Sequence, residues 1–261
     1  MPKNLEGIDL IKRVGPIVRD AGSIILSYFH KKLTRNEKGE NGFVTEADLA
    51  SEKFLINELK KITPEASFFA EESGKSENGN SYCWVIDPLD GTTNFAHEIP
   101  YFCVSVALTY NDNPIFGMIY QPLLDELFYA QEGKGAYCNG RPIHVSSPAG
   151  LDKCFLGMGI PYIKDERFEK LLRRGWTIAQ KSYAMRTFGA VALDLANVAC
   201  GRLDGALFEN LGWWDVAAGI VIIREAGGKI TDFEGKPLDP GYKSCLAASL
   251  PMHKELLQLC R

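Results

Sequence analysis

The sequence predicts an α+β protein whose two halves close on a shared cleft. Two amphipathic helical patterns lead the chain, strand-like segments follow to about residue 148, and helical and strand-like segments then alternate to the end. The first helical pattern runs from Ile8 to Phe29, with apolar residues at Ile11, Val14, Ile17, Val18, Ala21, Ile24, Ile25 and Tyr28. Pro16 inside it predicts a kink or a restart. The polar stretch from Lys31 to Gly42 predicts a loop. Thr45 and Asp48 form the T-x-x-D pattern of a capping box, so a second helix starts there and runs to about Lys61. Strands are predicted at Ser67–Ala70, Cys83–Ile86, Phe102–Tyr110, Pro114–Tyr120 and Glu126–Ala130, as an antiparallel sheet carrying the helices. The C-terminal half, residues 149–261, reads as α/β. Helices are predicted near Glu166–Arg174, Ala190–Cys200, Asp215–Ala226 and Met252–Cys260, with strands at Gly205–Phe208, Lys229–Thr231 and Cys245–Ala248. The division is therefore an N-terminal α+β half, residues 1–148, and a C-terminal half that completes the cleft.

A chain of 261 residues with 46% hydrophobic and 24% charged residues has enough apolar material for a full core. Its net charge of -4 argues against nucleic acid as the main partner, because phosphate-backbone binding needs concentrated Lys and Arg. The seven cysteines are odd in number and lack any C-x-x-C spacing, which predicts reduced thiols in a cytoplasmic protein. The N-terminus lacks the apolar core of a signal peptide. The run AAGIVII, Ala217 to Ile223, is too short to span a bilayer, so no membrane partner is expected.

Acidic residues recur where apolar segments stop. Glu71 ends FFAEES, Asp87 and Asp90 end WVIDPLD, and Asp215 follows LGWW. Taken singly, Asp215 reads as a helix cap, Asp48 as part of a capping box, Glu71 and Glu72 as a solvated strand end, and DPLDG as a turn. Taken together they read differently. Gathered carboxylates raise one another's pKa, and a divalent cation relieves the conflict. Oxygen ligands without His or Cys point to Mg²⁺ or a similar hard ion. Pro88 restricts the backbone between Asp87 and Asp90, and the Leu89 carbonyl is available as a neutral ligand. Gly91 lets a phosphate approach the main chain, and a helix starting near Thr92 would point free N–H groups at it. The sequence has no G-x-x-x-x-G-K-[ST] loop, no D-x-D-x-T, no C-x-x-x-x-x-R and no G-x-S-x-G, so metal-activated water is the phosphate chemistry left.

WVIDPLDGTTNF, with AEES upstream and WWDVAAGIVIIREAGG downstream, resembles the inositol monophosphatase family. That family belongs to the lithium-sensitive, magnesium-dependent phosphatases that also include fructose-1,6-bisphosphatases. The resemblance spans nearly the whole chain, from VTEAD at Val44–Asp48 to the C-terminal strand and helix. It implies a layered α-β-α-β-α sandwich, usually a homodimer, acting on a small phosphomonoester. It implies two or three Mg²⁺ ions per site, replaceable by Mn²⁺, and inhibition by Li⁺. Glu71, Asp87 and the Leu89 carbonyl would hold the first ion, Asp87, Asp90 and Asp215 a second, and a third would lean on Glu71. Asp48 and Thr92 would orient and deprotonate the attacking water, and Gly91 and Thr92 would cradle phosphate. In FGAVA, Phe188 to Ala192, the backbone of Gly189, Ala190 and Val191 would meet the substrate's hydroxyl-bearing part. Arg186 would contact the substrate, and Glu209 would hydrogen-bond its hydroxyls. FENLGWWD is one residue shorter between that glutamate and the WD motif than in many members. The first substrate implied is myo-inositol 1-phosphate. Fructose 1,6-bisphosphate, histidinol phosphate and an adenosine or NADP 2′- or 3′-phosphate follow. A regulatory member of the same fold serving an RNA or protein partner is the reading from another class.

Overall fold

The computed structural model describes residues 9–37, 42–76, 79, 81–160 and 166–260. Helices α1 (Leu10–Tyr28) and α2 (Glu46–Ile62) come first, separated by the short antiparallel pair β1 (Asn36–Glu37) and β2 (Phe43–Val44). The predicted 31–42 loop therefore contains a strand, while residues 38–41, like Ile8, lie outside the described residues. Pro16 does not restart α1. It sits on the exposed face with Lys12, so the carbonyl it leaves without a helical partner is on the water side. The capping box forms as the sequence predicts: Thr45 Oγ1 accepts from the Ala47 N–H, and Asp48 Oδ2 accepts from the Thr45 N–H at 2.9 Å.

The next segments are β3 (Ser67–Ala70), β4 (Gly74–Ser76), β5 (Tyr82–Asp90), the short helix α3 (Thr92–Ala96), β6 (Cys103–Tyr110), β7 (Asn113–Gln121), β8 (Glu126–Gln131), β9 (Ala136–Cys138) and β10 (Arg141–Pro142). Their strands form one sheet in the order β10-β9-β8-β7-β6-β5-β3-β4. It is antiparallel except that β3 and β5 run parallel, which corrects the uniformly antiparallel expectation. The parallel pairing sets Ala70 beside Ile86, so Glu71, just past the end of β3, and Asp87, within β5, lie side by side. β11 (Phe155–Met158), α4 (Glu166–Ala179), β12 (Ala184–Arg186), α5 (Val191–Ala199), β13 (Gly205–Glu209), α6 (Trp213–Glu225), β14 (Gly228–Thr231), β15 (Ser244–Ser249) and α7 (Leu250–Cys260) complete the chain. The second sheet has the order β12-β11-β13-β15-β14. Strands β4, β9, β10, β11 and β12 are too short, or too weakly alternating, for the sequence pattern to reveal.

These elements stack as α-β-α-β-α. Helices α1 and α2 cover one face of the large sheet, α5 and α6 fill the space between the sheets, and α4 and α7 cover the far face of the small sheet. The AAGIVII run is the middle of α6, apolar all round because it is buried from both sides. Gly117 on β7 makes that burial close: a Cβ there would come within 2.4 Å of the Ala218 carbonyl oxygen. The central core joins residues on either side of position 148, such as Val85, Cys103 and Phe128 with Leu193, Phe208 and Ile220.

Candidate active site

The spacing of Asp87 and Asp90 raises a geometric problem. In a regular strand, residues three apart face opposite sides of the sheet. The pairing of β5 with β6 resolves it. Asp87 pairs with Ser105 and Asp90 with Cys103, three steps on one strand against two on the other, so a β-bulge lies at Pro88–Leu89. Pro88, which lacks an N–H, suits a bulge. Cys103 and Ala107 belong to the core between the sheets, so both aspartates face inward, whereas Leu89 packs on the α1–α2 side.

Asp215 arrives from the other half of the chain. It is the third residue of α6 rather than its cap, and its Oδ2 accepts from the Gly212 N–H at 2.6 Å. Asp87, Asp90 and Asp215 each present a carboxylate oxygen, and these oxygens all lie within 4.8 Å of one another. Glu71, whose N–H bonds the Ile86 carbonyl at 3.1 Å, stands beside them and acts electrostatically on Asp87, Asp215 and Asp48. Burial, then repulsion from Glu71, Asp90 and Asp215, drives the Asp87 carboxyl well above the usual range. Burial, then Asp90 and Glu71, does the same to Asp215. Carboxylate oxygens of one sign brought this close, Asp87 and Asp90 buried and Asp215 half-buried, match what a hard divalent ion requires.

Asp90 has a second task. Its Oδ1 accepts from the Val191 N–H at 3.1 Å, and its Oδ2 accepts from the Ala192 and Leu193 N–H groups at 2.7 and 3.4 Å. It therefore caps α5, whose own N-cap residue, Ala190, supplies no side-chain cap. Burial raises its carboxyl to about 7 against the pull of these donors. Val191's N–H is thus engaged by Asp90 rather than turned toward a substrate.

Asp48 is fully buried, and its two oxygens have separate partners. Oδ2 accepts from the Thr45 N–H and, at 2.5 Å, from its hydroxyl; Oδ1 lies 3.0 Å from the Thr92 hydroxyl. That hydroxyl is also 3.0 Å from the Leu89 carbonyl oxygen. Its single proton serves one acceptor at a time, so the pair can switch. Burial, chiefly, raises Asp48 to about 6, leaving it ionised and basic at neutral pH.

Gly91 precedes α3 with φ of 90°, in the left-handed region. A Cβ there would lie 3.0 Å from the Tyr101 carbonyl oxygen and 3.1 Å from the Ala190 Cβ. Gly91→Ala is expected to lower the melting temperature by roughly 5 °C through strain and crowding; differential scanning calorimetry checks this.

Two further positions behave differently from one another. Arg186 is exposed on the edge strand β12, where it bonds the Met185 carbonyl and lies over the Phe155 ring. Glu209 is the correction. Its carboxylate accepts from Arg174 of α4 at 2.6 Å, and that guanidinium in turn holds the Cys260 carbonyl and covers the Phe233 ring, all in the outer layer. Along β13, Phe208 faces the central core, whereas Leu207 packs in the outer one. Glu209 shares Leu207's side by strand alternation, so its carboxylate is turned away from the acids.

Other residues hold the site in place. Asn94 of α3 donates to the carbonyls of Tyr101 and Phe188 at 2.8 and 2.7 Å, and the Tyr101 hydroxyl donates to buried Asp194 of α5 at 2.5 Å. These contacts tie the starts of α3 and α5 together across more than ninety residues of chain. On α2, Ser51 donates to the Pro88 carbonyl at 2.9 Å, and Glu52 accepts from the Glu72 and Ser73 N–H groups at 2.8 and 2.9 Å. Their helical spacing from Asp48 was the available clue.

A five-layer α-β-α-β-α stack with carboxylates gathered beside the starts of α2, α3, α5 and α6 defines a phosphatase of the sugar-phosphatase fold. The sequence model of the inositol monophosphatase family matches residues 11–260, and the chain belongs to that family. An inositol-1-monophosphatase of Synechocystis sp. is 42% identical over 91% of this chain and 84% of that protein. The structure of the extragenic suppressor protein suhB from Bartonella henselae superposes with a TM-score of 0.93 at 35% identity, covering 97% of this chain and 99% of that one. A relative from Xylella fastidiosa named Nus factor SuhB is 37% identical over 87% of this chain and 84% of its own length. No helix among the described residues is long and apolar enough to cross a membrane.

Proposed function

We propose that the protein hydrolyses a small phosphomonoester, with myo-inositol 1-phosphate first, to the alcohol and inorganic phosphate by in-line attack of water. The observation that carries this is the approach of Asp87, Asp90 and Asp215 to within 4.8 Å with Glu71 beside them. Two or three Mg²⁺ ions held by Glu71, Asp87, the Leu89 carbonyl, Asp90 and Asp215, with Mn²⁺ as substitute and Li⁺ as inhibitor, would supply Lewis-acid activation and charge neutralisation. The chain's own groups do the rest. The Thr92 hydroxyl orients the water and donates to Asp48 Oδ1, which accepts the proton; Thr45 fixes the other oxygen of that carboxylate. The main-chain N–H groups of Gly91 and Thr92 hold phosphate oxygens, as preorganised dipoles toward charge that grows during attack. Arg186 and the backbone of Gly189 and Ala190 bound the alcohol side.

The engagement of Glu209 by Arg174 favours a second reading within the same chemistry. Without that carboxylate to accept hydroxyl hydrogens, discrimination among polyols weakens, and fructose 1,6-bisphosphate becomes a competing substrate. A cytoplasmic homodimer is the assembly we propose, with Leu172 and Trp176, exposed one turn apart on α4, as candidate contacts. Phosphate release from myo-inositol 1-phosphate, fructose 1,6-bisphosphate, histidinol phosphate and an adenosine 2′-phosphate, compared as kcat/KM with Mg²⁺, without it and with Li⁺, tests the proposal. Mg²⁺-dependent release, strongest from the inositol ester, is expected. No such release from any ester would overturn the hydrolytic reading and favour a regulatory member serving an RNA or protein partner, a reading supported by the name Nus factor of the Xylella relative.

A further inference from the structure

We propose that Glu52 is a positioning residue of the metal site, acting through the backbone that carries Glu71; the inference rests on the metal-ligand reading of Glu71 above. Glu52 lies one helical turn beyond Asp48 on α2, and both are buried. Its two carboxylate oxygens are each used: Oε2 accepts from the Glu72 N–H at 2.8 Å and Oε1 from the Ser73 N–H at 2.9 Å. The ladder bond from the Glu71 N–H to the Ile86 carbonyl secures the residue on the sheet side. Glu71 is therefore clamped at its own N–H and at the next two, and its side chain leaves a backbone with little freedom. Between Asp48 and Glu52, Ser51 takes the Pro88 carbonyl, inside the bulge that aims Asp87 and Asp90. One face of α2 thus sets three things: the base Asp48, the bulge, and the turn after Glu71. The N–H groups of a turn need acceptors, and a carboxylate offers two without presenting a donor. An amide of the same shape would set its NH₂ against one of those N–H groups.

The test uses the full-length protein and Mg²⁺ as the probe. Glu52→Gln is expected to weaken Mg²⁺ binding about tenfold by titration calorimetry, the scale on which groups that orient metal ligands act. The Mg²⁺ concentration for half-maximal activity should rise by the same factor, with kcat at saturating Mg²⁺ changed by less than about threefold. Glu52→Asp keeps two acceptors and should fall between Gln and the native protein; if Glu52→Gln does not fold, Glu52→Asp decides by the same shift. Leu59→Ala, a buried change further along α2, should lower the melting temperature and leave Mg²⁺ affinity where it was. Unchanged Mg²⁺ affinity in the Glu52 variants, or an equal loss in Leu59→Ala, overturns the proposal and leaves Glu52 a stitch between helix and sheet. Glu71→Gln is titrated alongside: if it binds Mg²⁺ normally, the ligand reading fails; if it binds weakly while the Glu52 variants do not, only the positioning role fails.

Discussion

Asp87→Asn is expected to lower Mg²⁺-dependent phosphate release about a thousandfold while raising the melting temperature of the metal-free protein at pH 8. The two effects have one cause. Asp87 is 1% exposed and is pushed toward its neutral form by burial and by Glu71, Asp90 and Asp215. With a cation present, that concentration of charge serves to hold it, and removing one carboxylate takes away stabilisation of the developing negative charge. Without a cation, the same charge is a liability. The folded-state pKa lies above the unfolded one, so the folded protein binds the proton more tightly, and stability falls as pH climbs from the ordinary carboxylate range. Asparagine is the neutral form at every pH, and its oxygen can still accept from the Leu89 N–H, 3.0 Å from Oδ1 in the native side chain. Calorimetry in EDTA at pH 5 and pH 8 should show a gain of several degrees at pH 8 that shrinks at pH 5. Near-normal turnover, or an equal loss of stability at both pH values, would contradict the assignment.

Asp48→Asn should separate base from ligand. The Thr45 N–H can only donate, so the amide oxygen must turn toward it, leaving the NH₂ facing Thr92. The Thr92 hydroxyl then accepts from the amide and gives its proton to the Leu89 carbonyl, the alternative already 3.0 Å away. No group remains to take a proton from water. A fall in kcat of about a hundredfold or more is expected, with KM and Mg²⁺ affinity within about threefold of native. Kinetics with parallel Mg²⁺ calorimetry distinguishes this from loss of a ligand, in which affinity and turnover would fall together.

Much of the framework was legible because it is written locally. The apolar spacing of α1, the Thr45–Asp48 cap and the strand at Ser67–Ala70 each depend on residues within a turn or two, as does the start of α3 after Gly91. Glu71, Asp87, Asp90 and Asp215 stood out because each ends or opens an apolar element, where a rigid scaffold can aim a polar group. The sequence also carried the family through its two long motifs.

Other features depend on pairing between distant segments. Nothing in WVIDPLD states that Asp87 and Asp90 share a face; the bulge against β6 does, and a shift of one residue in register would send one of them to the other side. Asp90's grip on α5 and Glu52's grip on the turn after Glu71 join segments that only the packed layers bring together. Glu209 marks the same boundary from the opposite side. Its place at the end of a strand was readable, but which layer its carboxylate enters was set by the alternation of β13 and by Arg174 arriving from α4. The chain by itself determined which residues are acidic, which elements hold them and where those elements stop. The tertiary structure decided the direction of each carboxylate, because direction comes from strand register and helix packing, which no short window of sequence contains.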